Sequence, residues 1–108
     1  MNTYEIIEIK NDYGDLLPYI TAVEKIFLKN GFQQRLFKSG KFFKRKNTFC
    51  KPTLLLFPNG QRNLVIEWAD SEEDVLKNIT EDGDLYSLDQ PIDSLLDQVE
   101  KELQMSLL

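Results

Sequence analysis

The chain contains no histidine and a single cysteine among 108 residues. Without histidine it has neither the side chain most used for proton transfer near neutrality nor the commonest transition-metal ligand, so Ser-His-Asp and Cys-His mechanisms are excluded. Cys50 has no second cysteine to pair with, which rules out an internal disulfide and a cysteine-rich zinc site and fits a reducing compartment. In that setting the sequon Asn78-Ile79-Thr80 is a chance match. No apolar stretch approaches the ~20 residues of a membrane span, and Met1 to Glu5 lack the basic start and apolar run of a secretion signal; the expectation is a cytosolic protein. The five glycines are scattered and form no phosphate-binding motif, so a nucleotide cofactor has no support. The acids around Gly83 do not have the spacing of a calcium loop. No metal or cofactor is expected.

Charge of one sign is missing from the middle of the chain. From Lys25 through Arg62 there are ten Lys or Arg and no Asp or Glu. Before this block the balance is −4, and from Glu67 onward it is −11, so the net charge of −5 hides a strong internal dipole. Such a field governs association rate and the choice of charged partner rather than chemistry.

Seven Phe, four Tyr, one Trp and 42% apolar residues are enough for one core, and the length suits a single domain spanning residues 1–108. The β-branched run at residues 3–9 predicts a strand. Leu16, Tyr19, Ile20, Val23, Ile26 and Phe27 recur at helical spacing, with Asp15 as N-cap, Pro18 in the first turn, and Asn30-Gly31 as a stop on which Phe32 folds back. Residues 33–38 and 41–49 read as a strand pair around Ser39-Gly40, at a sheet edge. Residues 53–57 and 64–68 read as the central hairpin around Pro58-Asn59-Gly60. Ser71 caps a short acidic helix carrying Val75, Leu76 and Ile79. Residues 81–84 read as a turn. Asp89-Gln90-Pro91 opens a last helix with Ile92, Leu95, Leu96, Val99 and Leu103 on one face. The predicted fold is α+β, in the order β-α-β-β-β-β-α-α, an antiparallel meander sheet with helices packed on one face.

Two segments are candidates for binding. In the first, Arg35, Lys38, Lys41, Lys44, Arg45 and Lys46 are interleaved with Phe37, Phe42 and Phe43, a pattern that suits single-stranded nucleic acid held by phosphate neutralisation and stacking. The same alternation also serves a half-buried hairpin, and the acidic C-terminal third repels a polyanion. The second is that acidic third, which suits a basic protein. A further possibility is a regulatory or structural subunit whose two charge faces pair between copies.

Trp68-Ala69-Asp70-Ser71, Gly83-Asp84-Leu85-Tyr86-Ser87-Leu88-Asp89 and Pro91-Ile92-Asp93-Ser94-Leu95-Leu96 resemble the tail of small bacterial immunity proteins of contact-dependent inhibition and polymorphic toxin systems. The resemblance covers about a third of the chain and implies a cytosolic, non-enzymatic inhibitor of a secreted nuclease domain. A nuclease needs a cationic surface, so carboxylates can occupy the place of the phosphates. On this reading the charged contacts are Glu72, Glu73, Asp74, Glu81, Asp82, Asp84, Asp89 and Asp93, with Trp68 and Tyr86 as aromatic anchors.

Overall fold

The structure is a computed structural model that describes residues 7–9, 16–38, 40–77 and 82–106. Its elements are β1 (Ile7–Glu8), α1 (Leu17–Lys29), β2 (Gln33–Phe37), β3 (Gly40–Arg45), β4 (Thr48–Leu56), β5 (Arg62–Ala69), α2 (Glu72–Leu76), β6 (Asp82–Ser87) and α3 (Ile92–Ser106). The strands form one antiparallel sheet in the order β2-β3-β4-β5-β6, and β1 adds to β4 at Leu55 and Leu56. The α+β meander is as expected. The element order gains one strand, β6, between the last two helices.

Helix α1 ends as its sequence requires. Phe32 N–H donates to the Phe27 carbonyl and Gly31 N–H to the Leu28 carbonyl, a Schellman closure that needs the positive φ of Gly31, 91°. The Phe27 and Phe32 rings meet at 5.9 Å and seal the turn. At the other end Pro18 lies in the first turn; Asp15, expected to cap it, lies outside the described residues. In α2 the Ser71 hydroxyl accepts the Asp74 N–H, the expected cap, while Leu76 points to solvent instead of joining Val75.

The sheet has two unequal sides. Phe43, Cys50, Leu54, Leu64, Ile66 and Tyr86 face α1 and α3, where they pack with Val23, Phe27, Leu95, Val99 and Leu103. The alternate residues Phe42, Phe49 and Ala69 face the other way and are closed over by Val75 of α2, with Phe37 at their margin. Two helices therefore cover one face and α2 caps a corner of the other, which corrects the expectation of helices on one face only.

Three local readings also change. The predicted strand 41–49 breaks at Lys46-Asn47, where Lys46 takes a left-handed φ of 56° and Arg45 pairs with Thr48. Strand β4 runs through Pro52, which has no N–H for a ladder. Phe57 N–H donates to the Gln61 carbonyl, and the alternation this sets turns the Pro52 nitrogen away from β5. It faces the gap between β3, which pairs only with residues 48–50, and β1. The predicted turn at 81–84 gives way to β6, whose alternation is short: Tyr86 and Leu88 turn inward and Leu85 outward. Its Asp-Gly-Asp start disfavours a strand intrinsically, and pairing with the apolar edge of β5 overrides that preference.

Candidate interaction surface

Folding converts the charge blocks of the sequence into a gradient across the sheet. Seven of the ten basic residues lie on β2, β3, β4 and the turns between them, with Lys25 and Lys29 on α1 and Arg62 on β5. The acids of the last third lie on β6, α3 and α2 and in the segments between, with Glu67 on β5; α2 packs over Phe42 and Phe49 on the face opposite α3. With strands about 4.8 Å apart, the outer strands β2 and β6 are separated by roughly 19 Å.

Much of the basic side is balanced internally. Lys41 pairs with Glu24 at 2.8 Å, and Lys51, its side chain 17% exposed, pairs with Glu67 at 3.7 Å. Glu67 also accepts a hydrogen bond from the Thr53 hydroxyl at 2.8 Å. Lys44 lies over the Phe49 ring and Lys51 over Phe42, at 5.5 and 5.0 Å from the centroids. Phe42 and Phe43, candidates for stacking on bases, are buried on opposite sides of the sheet, and Phe37 is half-buried with its ring at an edge to Phe42 and Phe49. These rings present no open stacking platform. The alternation serves the two cores instead, and Arg35, Lys38 and Lys46 remain as exposed cations without an acid opposite them among the described residues.

The acidic side is arranged differently. Glu72 and Glu73 are exposed in the first turn of α2, where Glu73 pairs only with Lys77 one turn on, and Asp74 is half-exposed. Asp89 precedes α3 and Asp93 lies in its first turn, both exposed. Glu72, Asp89, Asp93 and Asp97 make no ion pair among the described residues. Asp84 lies in mid-β6 on the helix side and accepts the Trp68 indole N–H at 2.9 Å. Asp82 opens β6 in register with Trp68, and Glu81 lies outside the described residues.

The proposed contacts thus fall into two groups at opposite ends of β5, about 23 Å apart at ~3.3 Å per residue. The acids of α2 follow Ala69, and Asp89 and Asp93 lie beyond Ser87, which pairs with Asn63. Trp68 is half-buried against Phe32, and Tyr86 is buried in the main core. Their rings support the surface from beneath rather than project from it. Burial, then the negative charges of Asp84 and Glu102, pushes the Tyr86 phenol up, and its hydroxyl has no hydrogen-bond partner. The inward turn of Tyr86 was legible only through its period-two spacing with Leu88.

The chemistry available elsewhere is limited. Cys50 is buried in the sheet, and desolvation pushes its thiol up, the reverse of what an attacking thiolate needs. Among the described residues no cluster of His, Cys, Asp and Glu is placed to hold a metal ion. A cleft of about 400 Å³ opens where the sheet lacks a strand, between α1 and residues 51–53. Its floor is the Lys41–Glu24 pair and the Pro52 gap, with no nucleophile set against a base. No helix among the described residues is long and apolar enough to cross a membrane. No protein-family model, curated protein or solved structure matches the chain.

Proposed function

We propose that the chain is a non-enzymatic protein-binding inhibitor, an immunity-type protein that neutralises a cationic, nuclease-like toxin domain in the cytoplasm through its acidic side. The observation that carries this reading is the inequality of the two charged sides. The basic side spends Lys41, Lys44 and Lys51 on its own acids and rings, whereas Glu72, Asp89, Asp93 and Asp97 are without ion-pair partners among the described residues. Exposed acids of this kind cost little to desolvate and draw in a cationic partner over a Debye length of ~8–10 Å. The acids of α2, which lies over Phe42 and Phe49 beside Lys44, and those at the start of α3 form two separate groups, and the reading needs a partner on only one of them.

The test is capture from the native host after nuclease treatment, followed by co-expression of the captured protein with this chain. A stoichiometric basic protein whose toxicity the chain relieves is the expected result. Replacing Glu72, Glu73 and Asp74 together by Lys should slow that association about 10-fold or more at low salt, with circular dichroism checking the fold, since the three acids also favour the first turn of α2. Unaltered kinetics would remove α2 from the interface. Capture that occurs only when nuclease is omitted would contradict the proposal.

A further inference from the structure

Both outer strands leave their far edges open among the described residues: β2 pairs only with β3 and β6 only with β5. An unpaired edge presents a row of N–H and C=O groups and is a template for a further strand. The direction of those groups follows from the register. Leu88 N–H donates to the Arg62 carbonyl, so alternation along the ladder turns the backbone groups of Gly83, Leu85 and Ser87 away from β5. On β2 the Gln34 carbonyl accepts from the Arg35 guanidinium at 3.0 Å rather than from β3. The β2–β3 ladder ends at the Phe37–Gly40 pair, and by alternation the backbone groups of Gln34 and Leu36 point outward.

The two edges carry complementary side chains. Leu36 on β2 and Leu85 on β6 are 76% and 56% exposed, each an apolar residue in the middle of an open edge. Arg35 is held at the β2 edge by Gln33 at 2.7 Å and has no acid opposite it among the described residues. Asp84 stands at the β6 edge, with one oxygen taken by Trp68. Two β6 edges would set acid beside acid, and two β2 edges cation beside cation. Only unlike edges attract.

We infer that β2 of one copy adds antiparallel to β6 of a second copy, with Leu36 opposite Leu85. This register places Gln34 opposite Ser87 and Arg35 opposite Tyr86, one residue pair from Asp84 and within diagonal reach of a long side chain. It joins outward-facing backbone groups on both strands. The two copies are turned over relative to each other, because Leu36 lies on the helix side of its own sheet and Leu85 on the far side. The contact is heterologous, since each copy keeps one edge free, and so it propagates beyond the dimer instead of closing. Five or six residues of strand form a small interface, so the association is weak, with Kd on the order of 10⁻⁵–10⁻³ M. The inference is independent of any toxin partner.

Sedimentation equilibrium of the full chain against concentration, at low and high salt, tests it. At low salt the average mass should exceed the 12.6 kDa of one chain and keep rising past the dimer; high salt should return it toward the monomer. Arg35→Glu spoils the β2 edge and Leu85→Lys the β6 edge, and each alone should be monomeric. An equimolar mixture of the two variants should recover a species that stops at the dimer, because each supplies the edge that the other lacks. Both positions are exposed, and circular dichroism checks that the variants fold. A monomeric chain at every concentration, a mass that stops at the dimer in the unmodified chain, or a mixture that stays monomeric would each overturn the inference.

Discussion

The β2–β3 hairpin and the α2–β6–α3 region carry charge of opposite sign, and they use it in different ways. In the hairpin, cations alternate with phenylalanines that insert into both cores, so the side chains between them are drawn toward acids and rings of the same chain. Lys41 reaches Glu24 and Lys44 lies over Phe49. In the acidic region the apolar anchors Val75, Leu95, Val99 and Leu103 sit on helices, whose other faces project acids into water at 3.6-residue spacing. The lesson is that charge density alone does not mark a binding surface. What matters is whether the chain has already neutralised it.

The largest expected effect lies in the aromatic anchors of the basic side. Phe43 is buried and packs against Phe27 at 5.3 Å, so Phe43→Ala should cost about 3–5 kcal/mol through lost burial and the cavity left behind. A denaturant midpoint measures this; reversal of the exposed Lys38 or Lys46 to Glu should stay within about 0.5 kcal/mol. A loss below ~1 kcal/mol at Phe43 would mean that the hairpin is not anchored as described.

Next in size is a pH effect. Cys50 and Tyr86 both titrate above their ordinary values in the folded chain because burial disfavours their anions. The unfolded chain therefore releases these protons first, and the stability they contribute is complete below the ordinary thiol pKa of ~8.5 and is lost as pH rises beyond it. Stability should fall above about pH 9, with a slope of up to ~1.4 kcal/mol per pH unit for each group once its unfolded form is ionised. Cys50→Ala should remove the thiol's share. A flat profile to pH 11 would contradict the burial of both groups.

Smaller still is the internal pairing of the basic side. Glu67→Gln keeps an acceptor for Thr53 and removes the carboxylate facing Lys51, whose side chain is 17% exposed. The expected loss is about 1–2 kcal/mol, below that of a fully buried pair because both partners reach water. Removing an exposed acid such as Asp97, by Asp97→Asn, should change stability by less than ~0.5 kcal/mol. Equal losses at the two positions would erase the distinction between spent and available charge.

Elements governed by local rules were legible in the sequence: the Gly31 closure of α1, the Ser71 cap, the apolar stripe of α3 and the β4–β5 hairpin. What was not legible depended on distant partners. Lys46-Asn47 carries no glycine to announce a turn, and Pro52 is tolerated only because β1 and β3 leave a gap beside it. Strand β6 opens with Asp-Gly-Asp and becomes a strand because β5 offers an edge. Of the candidate contacts, the exposure of Glu72, Glu73 and Asp93 follows from helical spacing against Val75 and Leu95. The burial of Tyr86 and the bond from Trp68 to Asp84 require β6 to lie in its register on β5.

The most direct test of unequal charge availability is titration of the isotopically labelled chain with oligolysine and, separately, with a short single-stranded DNA, following each backbone amide by NMR at low salt. Unspent acids predict shifts from oligolysine concentrated at residues 70–74 and 89–102, reversed by salt, with little response to DNA at residues 35–46. Strong DNA-induced shifts across residues 35–46, with the acidic segments unmoved by oligolysine, would contradict the account.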